Sequence, residues 1–378
     1  MAFEIRPIQL PQDTAAFVKS WWPIYADDPH WVPPLVFERK SFFDPAKNPY
    51  FKHADIQCIM AYRDGKAVGT IAATVDHELQ KHEPGVGLFG FYEFVNDVDV
   101  ARGLRDAARD WLAGKGMSVM RGPFNFNSNH EFGLLVDGFD TDPAIANPHN
   151  SAYFAPIYDQ LGMVKVKDWY AYWMDKGPIP DRIGAMAERV VKRNPNVTFR
   201  PYDPKQFDRE VKLFREIYND AWEANWGHIY IDDEQFHHAA KAFKDFLDPR
   251  LCWFGYLGEE CIAASITFSD YNQTVKKMNG GLLPFGWFHI AMALSGRFQP
   301  DALRVFVLGV KRKYQHLGLG APLYLKTWEN GMKMNIRGAE ASLILEDNHQ
   351  MRGALEKWLN ARIYKTYRTY EFPVTSPA

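Results

Sequence analysis

The fold of this 378-residue chain is decided by one stretch: Arg304-Val305-Phe306-Val307-Leu308-Gly309-Val310, then Lys311-Arg312-Lys313-Tyr314, then Gln315-His316-Leu317-Gly318-Leu319-Gly320-Ala321. Its first part is a mostly apolar run that predicts a buried strand, and a helix is predicted to follow the last part at once. Two glycines at a helix N-terminus let the backbone approach a ligand and point free N–H groups outward. Because the helix dipole adds an attraction for anions, the junction predicts a pyrophosphate site.

The spacing of these glycines distinguishes the junction from two other phosphate-binding loops. A P-loop would require a Gly-Lys-Ser/Thr ending, and a Rossmann loop would need a further glycine and an acidic residue on the next strand. The remaining alternative is that the glycines only make a tight turn from strand to helix. The run Lys311-Arg312-Lys313 suits contacts with phosphates and suits a solvated edge equally.

The chain repeats part of its own sequence. Arg6-Pro7 is echoed by Arg200-Pro201, and Ile24-Tyr25-Ala26-Asp27 by Ile217-Tyr218-Asn219-Asp220, at offsets of 194 and 193 residues. Further matches keep the same order along the chain, which chance does not readily produce. We therefore predict two similar lobes, residues 1–175 and 197–378, joined by a linker helix within the Pro- and Gly-punctuated segment 176–196.

Periodicity in the second lobe predicts alternating strands and helices. Strands are predicted at 199–201, 252–257, 262–269, 303–310 and 339–345, and helices at 204–222, 233–247, 321–335 and 349–359. With one more strand after the final helix, the order is β-α-α-β-β-β-α-β-α-β. This order predicts an α/β (α+β) fold in which helices cover the faces of a mixed sheet.

Charge and cysteine content exclude several classes of site. Lys plus Arg number 44 and Asp plus Glu number 46, giving a net charge of -2 that supplies no field to attract nucleic acid or an acidic membrane. Cys58, Cys252 and Cys261 are widely spread and form no CxxC pair. We therefore expect buried thiols in a reducing compartment, and no structural metal.

The sequence predicts neither a secretion signal nor a membrane-spanning helix. Residues 1–6 lack a basic stretch followed by an apolar region, which argues against secretion. The most apolar stretch, 280–294, is shorter than the ~20 residues of a spanning helix and is interrupted by Pro284 and Gly286. We therefore expect a cytoplasmic protein. Its aromatic content of 15% suits a large core or a pocket for apolar ligands.

The order strand, Gln-x-x-Gly-x-Gly, helix at 304–321 resembles the CoA-pyrophosphate loop of the GNAT acyltransferase superfamily. The resemblance covers 197–372 with good motifs and 3–174 more weakly. It implies acetyl-CoA or a longer acyl-CoA as co-substrate, with no metal. Asn348 stands where GNAT proteins place an Asn before the last helix. The residues that the resemblance implies in CoA binding are Leu308, Gly309, Val310, Arg312, Lys313, Gln315, His316, Leu317, Gly318, Leu319, Gly320, Ala321 and Asn348.

Two features depart from the GNAT pattern. Many GNAT enzymes have a Tyr seven residues after that Asn as the acid for the departing thiolate, and this position is Leu355 here, so we substitute Tyr364 and Tyr367. The first lobe has no such loop. After its strand it carries the segment 96–103, whose acidic residues would repel a pyrophosphate, and we predict that the first lobe does not bind CoA.

Transfer of an acyl group to an amine requires a base, because the amine must be neutral when it attacks. Glu346, at the end of a predicted strand beside the expected thioester, is our first candidate, and Asp270, at the end of another strand, is the second. The alternative for Glu346-Asp347 is that it only caps the last helix. The thioester carbonyl would be polarised by a strand N–H near Val310.

Two loops carry polar amides beside aromatic residues. The segment 121–133 contains Asn127 and Asn129, and the second lobe contains Asn225 next to Trp226. Such residues suit the orientation of a polar substrate head. The alternative for the first loop is a network of satisfied turn hydrogen bonds.

Two-lobed proteins with the cofactor loop only in the second lobe include two known groups. The segments 217–222, 345–348 and 364–368 resemble the bacterial family that includes the bacterial ceramide synthases, which join a fatty acyl-CoA to a sphingoid amine. That resemblance implies an N-acyltransferase acting on a primary amine, either a small molecule or a lipid, and leaves peripheral membrane contact open. Fem-like aminoacyl transferases use aminoacyl-tRNA, which the near-neutral charge disfavours. A non-catalytic CoA- or lipid-binding protein also stays open.

Overall fold

A computed structural model describes residues 3–374, and fifteen strands and thirteen α-helices lie within them. The strands are β1 Glu4–Pro7, β2 Ala54–Arg63, β3 Lys66–Asp76, β4 Val86–Phe94, β5 Val119–Gly122, β6 Phe124–Asn125, β7 Glu131–Phe132, β8 Leu134–Asp137, β9 Val164–Asp175, β10 Val197–Pro201, β11 Cys252–Leu257, β12 Glu260–Ser269, β13 Ala302–Val310, β14 Gly338–Leu345 and β15 Arg362–Pro373. The α-helices are α1 Thr14–Lys19, α2 Trp21–Ile24, α3 Val36–Phe42, α4 Leu79–His82, α5 Val98–Gly114, α6 Phe154–Gln160, α7 Asp181–Arg193, α8 Phe207–Trp222, α9 Asp233–Phe243, α10 Asn272–Met278, α11 Gly286–Leu294, α12 Gly320–Met332 and α13 His349–Trp358.

The chain packs into two compact units. The first comprises Met1–Trp169, Val275–His289 and Lys365–Ala378, and the second comprises Tyr170–Thr274 and Ile290–Tyr364. The first unit is therefore built from three separate stretches of chain, so its last strand is made only when the whole chain is present.

The sheet of the first unit runs in the order β1-β2-β3-β4-β5, followed by the end of β15. Neighbours are antiparallel except β4 and β5, which are parallel over Val86–Leu88 and Val119–Arg121. The segment Tyr370–Pro373 of β15 pairs antiparallel with β5. Helix α5 lies against the sheet, because its apolar residues recur at helical spacing and its buried apolar side chains, such as Leu104 and Leu112, join the core.

The sheet of the second unit runs in the order β14-β13-β12-β11-β10. The pairs β10–β11, β11–β12 and β12–β13 are antiparallel, and β13–β14 is parallel. The β11–β12 hairpin turns at Gly258, whose φ of 60° lies in the left-handed region that glycine adopts at little cost. The predicted mixed α/β sheet is confirmed.

The helices and strands of the second unit follow the predicted order, with two additions. Helices α10 and α11 lie between β12 and β13. Helix α10 precedes the apolar stretch 280–294 and α11 lies within it, and the segment Val275–His289 belongs to the first unit. The predicted helix 233–247 ends as an α-helix at Phe243 and continues as a 3-10 turn, Lys244–Phe246. The helix predicted between the lobes is α7, Asp181–Arg193, which packs against α12.

The three cysteines are buried free thiols, as expected. Burial raises the pKa of Cys252 to about 12 and that of Cys261 to about 11, so both thiols stay protonated at neutral pH. No helix within residues 3–374 combines the length and the apolar character needed to cross a bilayer. The same residues contain no group of three His, Cys, Asp or Glu side chains that could hold a metal ion.

Candidate active site

The parallel strands β13 and β14 separate along their length. They pair only over Ala302–Val305 and Gly338–Ala341, although β13 continues to Val310 and β14 to Leu345. On its other side β13 stays paired with β12 as far as Val310. The half of β13 beyond Val305 therefore presents backbone N–H and C=O groups to an open wedge, where an extended ligand can satisfy them.

A β-bulge at Phe306 reorients the open half of β13. The pairing passes from Thr267↔Val305 to Ile266↔Val307, so Phe306 is an extra residue on β13. In a regular strand, Val305 and Leu308 would face opposite sides of the sheet, because they are three residues apart. Here both pack toward the α12 face, since the extra residue of the bulge lies between them.

Gly309 faces α8 on the side of the strand where a side chain would project. A Cβ atom there would lie 2.4 Å from the ring of Trp222, which shows how closely this ring covers the strand. The Trp222 ring stacks on Tyr218 at 5.2 Å between centroids. Burial raises the pKa of Tyr218 to about 12, so this aromatic wall is neutral. An apolar surface therefore flanks the open part of β13 on the α8 side.

The turn after β13 leads directly into α12. A 3-10 helix, Arg312–Leu317, is closed by Gly318, whose φ of 73° is left-handed, and whose N–H donates to the Gln315 carbonyl at 3.1 Å. The N–H groups of Leu319 and Gly320 have no hydrogen-bond partner among residues 3–374. Leu319 is fully buried and anchors the turn. The sequence-predicted junction is thus a helix N-terminus with two backbone donors unpaired in the described part of the chain, of which Gly320 is half-buried, and such a terminus suits an anion.

The three cations before the turn have different surroundings. Lys311 forms an ion pair with Glu260 at 3.2 Å. Arg312 pairs through its side chain with Glu223, and its backbone N–H donates to Asp220 at 2.6 Å. Lys313 is exposed and lies over the ring of Tyr314 at 5.2 Å. Lys313 is therefore the cation of this run that carries its charge to solvent without a carboxylate partner in the described chain.

The residues after β14 are positioned by α13. The side chain of Asn348 caps this helix by accepting from the Met351 N–H at 3.0 Å, so Asn348, rather than Glu346 or Asp347, is the capping residue. Glu346 is half-buried, and its backbone carbonyl accepts from Arg352 at 2.6 Å. Ala302 and Gly338 are partners where β13 and β14 pair. Val310 lies eight residues after Ala302, and Glu346 lies eight residues after Gly338, so Glu346 lies at the open end of the wedge.

Tyr364 contacts a carboxylate that the sequence analysis missed. Its hydroxyl donates to Glu340, a fully buried residue of β14. Ser342 donates to the same carboxylate, and Arg304 lies 3.6 Å from it. These polar groups surround the point where β13 and β14 begin to separate. Glu340 is the charged residue inside the otherwise apolar strand 338–345, and that exception is the signal that could have found it.

The other two predicted catalytic residues lie elsewhere. Asp270 is buried at the end of β12, where its N–H donates to the Ala302 carbonyl at 2.9 Å. Ala302 and Val310 are the two ends of β13, eight residues or roughly 27 Å apart at ~3.4 Å per residue, so Asp270 lies at the end away from the turn. Tyr367 is fully buried in the first unit, beside Gly133. Asp270 is therefore far from the turn after β13, and Tyr367 belongs to the other unit.

Asn225 and Trp226 lie in the loop between α8 and α9. The Asn225 N–H donates to the Trp222 carbonyl at 2.8 Å, and its own carbonyl accepts from His228 at 3.1 Å. The side chain of Asn219 fixes the other side of the loop through two hydrogen bonds with Ile231. The loop thus has a defined conformation next to the Trp222 ring, while a substrate role for Asn225 and Trp226 stays a prediction.

Asn127 belongs to a hydrogen-bonded turn in the first unit. It is 1% exposed, and its amide donates to Asp76 at 2.8 Å. Its oxygen accepts from the Asn129 N–H and contacts His130, each at 2.9 Å. These contacts are the ones expected if the loop 121–133 is a network of satisfied turn hydrogen bonds. A substrate role for Asn127 and Asn129 stays a prediction.

The first unit has a corresponding strand separation with different chemistry. Asp97 caps α5 by accepting from the N–H groups of Asp99 and Val100, so a carboxylate already occupies this helix N-terminus. The Asn125 side chain accepts from the Phe91 N–H at 2.7 Å. A Cβ on Gly90 would lie 1.8 Å from the Phe124 carbonyl oxygen. The chain's own groups thus fill the places that an extended ligand would need.

Glu93 lines a small cleft in the first unit, with Phe91, Asn125, Phe132 and Asn150 among the lining residues. Burial raises the pKa of Glu93 to about 7, against the opposing effect of the Tyr25 hydroxyl that donates to it. The folded state therefore favours the neutral carboxyl group. Its contribution to stability is complete below pH 4.5 and is lost as the pH rises through 7.

We expect Glu93→Gln to change how stability depends on pH. The ionisation of Glu93 should lower the free energy of unfolding by at most about 3 kcal/mol between pH 5 and pH 8, and the substitution should remove that loss. Urea unfolding across this range gives the free energy of unfolding of both proteins. The contributions of the other titrating groups cancel in the difference between the two values. A difference independent of pH would contradict the raised pKa.

Comparisons with known proteins agree with this architecture. No family model matches the chain. It is similar to the bacterial ceramide synthase of Caulobacter vibrioides (34% identical over 374 residues, covering 97% of this chain and 96% of that protein). It is also similar to the protein YghO of Escherichia coli K12 (32% identical over 374 residues, covering 97% and 94%).

Solved structures show the same fold at low sequence identity. A tandem GNAT protein from the clavulanic acid biosynthesis pathway matches with a TM-score of 0.57 at 12% identity, covering 100% of both chains. A GCN5-related N-acetyltransferase from Sphaerobacter thermophilus matches with a TM-score of 0.52 at 10% identity, covering 100% of this chain and 97% of that one. The chain therefore has a tandem GNAT fold, belongs to the family of the bacterial ceramide synthase, and is an acyltransferase.

Proposed function

We propose that the protein is an N-acyltransferase that moves an acyl group from acyl-CoA to a primary amine, with a long-chain amine as the acceptor. The observation that carries this proposal is the wedge between β13 and β14, which opens onto the donor-rich turn at Gly318. An extended, amide-bearing chain with a diphosphate at one end matches both features. Acyl-CoA has that form, since its pantetheine arm carries amides and ends at a diphosphate.

In this proposal the backbone binds the carrier. The N–H groups of Leu319 and Gly320 take the diphosphate, and Lys313 adds a positive charge nearby. Leu308 to Val310 supply strand hydrogen bonds to the pantetheine amides. A strand N–H in the same open half polarises the thioester carbonyl as negative charge develops on its oxygen. Each of these contacts uses the main chain, so the site needs few specific side chains.

The proposed reaction is an addition followed by elimination. The neutral amine nitrogen attacks the thioester carbon, the C–S bond breaks, and CoA leaves as a thiol after gaining a proton. Glu346 accepts the proton of the amine, directly or through a water, because it lies at the open end of the wedge. Tyr364, held by Glu340, is our proposed donor to the thiolate. Because Glu340 precedes Glu346 by six residues, or roughly 20 Å at ~3.4 Å per residue, the proposed proton transfer from Tyr364 to the sulfur runs through water. The protons balance, since one leaves nitrogen and one reaches sulfur.

The acceptor is proposed from two observations. The relative with 34% identity is named a ceramide synthase, and the open part of β13 is flanked by the neutral aromatic wall of Tyr218 and Trp222. An apolar wall favours a hydrocarbon chain over a polar acceptor, because burying polar groups without partners costs free energy.

Thiol release from a series of acyl-CoAs, from acetyl to palmitoyl, tests the proposal. We expect release that depends on an added amine, increases with acyl length and is faster with a long-chain amine than with a short one. Rapid release with acetyl-CoA and small amines alone would overturn the lipid acceptor. Absence of release with every pair would overturn the enzyme activity of this site.

A second candidate function rests on Leu355. This residue is fully buried at the position where many GNAT enzymes have their acid, so the protein would then bind CoA or a lipid without catalysis. Tight binding of CoA in calorimetry together with no thiol release would favour this alternative. A Fem-like transfer from aminoacyl-tRNA has no such supporting observation in either unit.

A further inference from the structure

An exposed apolar tip projects from the first unit. We define it as Leu282, Leu283, Phe285, Trp287 and Phe288, with exposed fractions of 42%, 84%, 69%, 55% and 48%. Thirteen large apolar side chains are exposed within residues 3–374, and these five occur within seven consecutive positions. Single exposed apolar residues are ordinary on protein surfaces, whereas a contiguous group marks an interaction site.

The base of the tip is fixed to the body of the first unit. The indole N–H of Trp22 donates to the side chain of Asn279 at 3.0 Å, and the Val36 N–H donates to the Gly280 carbonyl at 2.9 Å. A Cβ on Gly280 would lie 2.3 Å from the Trp22 ring, so the backbone of Gly280 is tightly packed against this ring. The tip is therefore held outward by its base.

Three donors of the tip are satisfied within the tip itself. The Trp287 N–H donates to the Leu282 carbonyl at 2.8 Å, and its indole N–H donates to the Pro284 carbonyl at 3.1 Å. The Phe288 N–H donates to the Phe285 carbonyl at 3.0 Å. A Cβ on Gly286 would lie 1.8 Å from the Gly281 carbonyl oxygen, so the turn is tightly closed. These internal bonds lower the cost of placing the segment at an apolar boundary, because unsatisfied polar groups are costly there.

Charge around the tip has one sign. Residues 271–300 contain no Asp or Glu, and they contain Lys276, Lys277 and Arg297. Lys276 is bound to Asp142 at 2.7 Å, which leaves the stretch cationic overall. The protein as a whole has a net charge of -2, so this local excess is a property of the segment. Anionic lipid headgroups complement such a segment, and Trp and Phe side chains are favoured at the boundary between headgroups and hydrocarbon.

We propose that the tip docks the protein on the surface of an anionic lipid bilayer, with Leu283, Phe285 and Trp287 inserted at the headgroup boundary and the nearby cations facing the headgroups. The proposal rests on the exposure, closure and charge of this segment, and it is independent of the acyl-transfer reaction. A bilayer is favoured over a protein partner because the segment combines large exposed apolar and aromatic side chains with a cationic flank.

Co-sedimentation of the full chain with vesicles tests the docking. The vesicles contain equal parts of phosphatidylglycerol and phosphatidylcholine in one arm, and phosphatidylcholine alone in the other. The variant is Leu283→Glu with Phe285→Glu. The matched control is Val164→Glu with Val191→Glu, which adds the same two charges at side chains outside the tip that are 64% and 45% exposed. Thermal unfolding of all three proteins verifies that the fold is retained.

We expect the wild type and the control to bind the anionic vesicles alike, and the tip variant to bind them roughly tenfold or more weakly. Binding should be weaker to phosphatidylcholine alone and should decrease with added salt. Equal binding of variant and wild type, or no binding of the wild type, would overturn the proposal. Self-association of the wild type without lipid, lost in the tip variant, would also overturn it, because the tip would then cover a second copy of the chain.

Discussion

Replacing Gly318 with glutamate is expected to abolish CoA binding, lowering the affinity by roughly a hundredfold or more. The side chain would place a carboxylate at the helix N-terminus where Leu319 and Gly320 offer their N–H groups. It would repel the diphosphate and compete with it for the same donors. Gly318 also has a φ of 73°, so any other residue there costs about 1 kcal/mol of stability. Isothermal titration calorimetry with CoA measures the loss.

The matched control is Gly318→Gln, which has the same size and the same backbone strain without the charge. We expect Gln to bind CoA with an affinity between those of the wild type and the Glu variant. The two variants should unfold at similar temperatures, since the nearest group to the new Cβ is Val190 at 3.4 Å in both. Equal weakening by Gln and Glu would assign the effect to strain, and unchanged affinity of the Glu variant would remove CoA from this turn.

The substitution Glu346→Gln is expected to reduce the turnover of thiol release by about 10² to 10⁴, with little change in the affinity for acyl-CoA. The amide keeps the size of the side chain but cannot accept the proton of the attacking amine. Steady-state rates with saturating amine give the turnover, and calorimetry with acyl-CoA gives the affinity.

Asp347→Asn is the matched control for Glu346→Gln. Asp347 is the next residue, is exposed, and likewise loses one negative charge in the variant. We expect it to retain most of the activity. If both substitutions reduce turnover equally, the effect is electrostatic and the base is another group, with Glu340 the next carboxylate to examine.

Local sequence patterns predicted the second unit well because its signals are short-range. The hairpin of β11 and β12 follows from two β-branched and aromatic runs around Gly258, and α13 begins at the predicted residue His349. The junction after Val310 was found for the same reason, since a strand, two glycines and a helix lie within twenty residues. Each of these features is set by neighbours in sequence.

Features that depend on distant residues escaped prediction. The bulge at Phe306 requires the register between β12 and β13, and the return of β15 to β5 requires the packing of the first unit. The contact between Tyr364 and Glu340 joins residues on two strands, so only the structure displays it. Helix α11 was missed because an apolar run with Pro284 and Gly286 inside it lacks helical periodicity, and α10 because its seven residues are too few to show a period.

A crystal structure of the chain with bound CoA tests the central claim most directly. The account predicts diphosphate oxygens within about 3 Å of the N–H groups of Leu319 and Gly320, with the pantetheine arm along the open half of β13. Density for CoA elsewhere, with this turn empty or blocked by a neighbouring side chain, would contradict it.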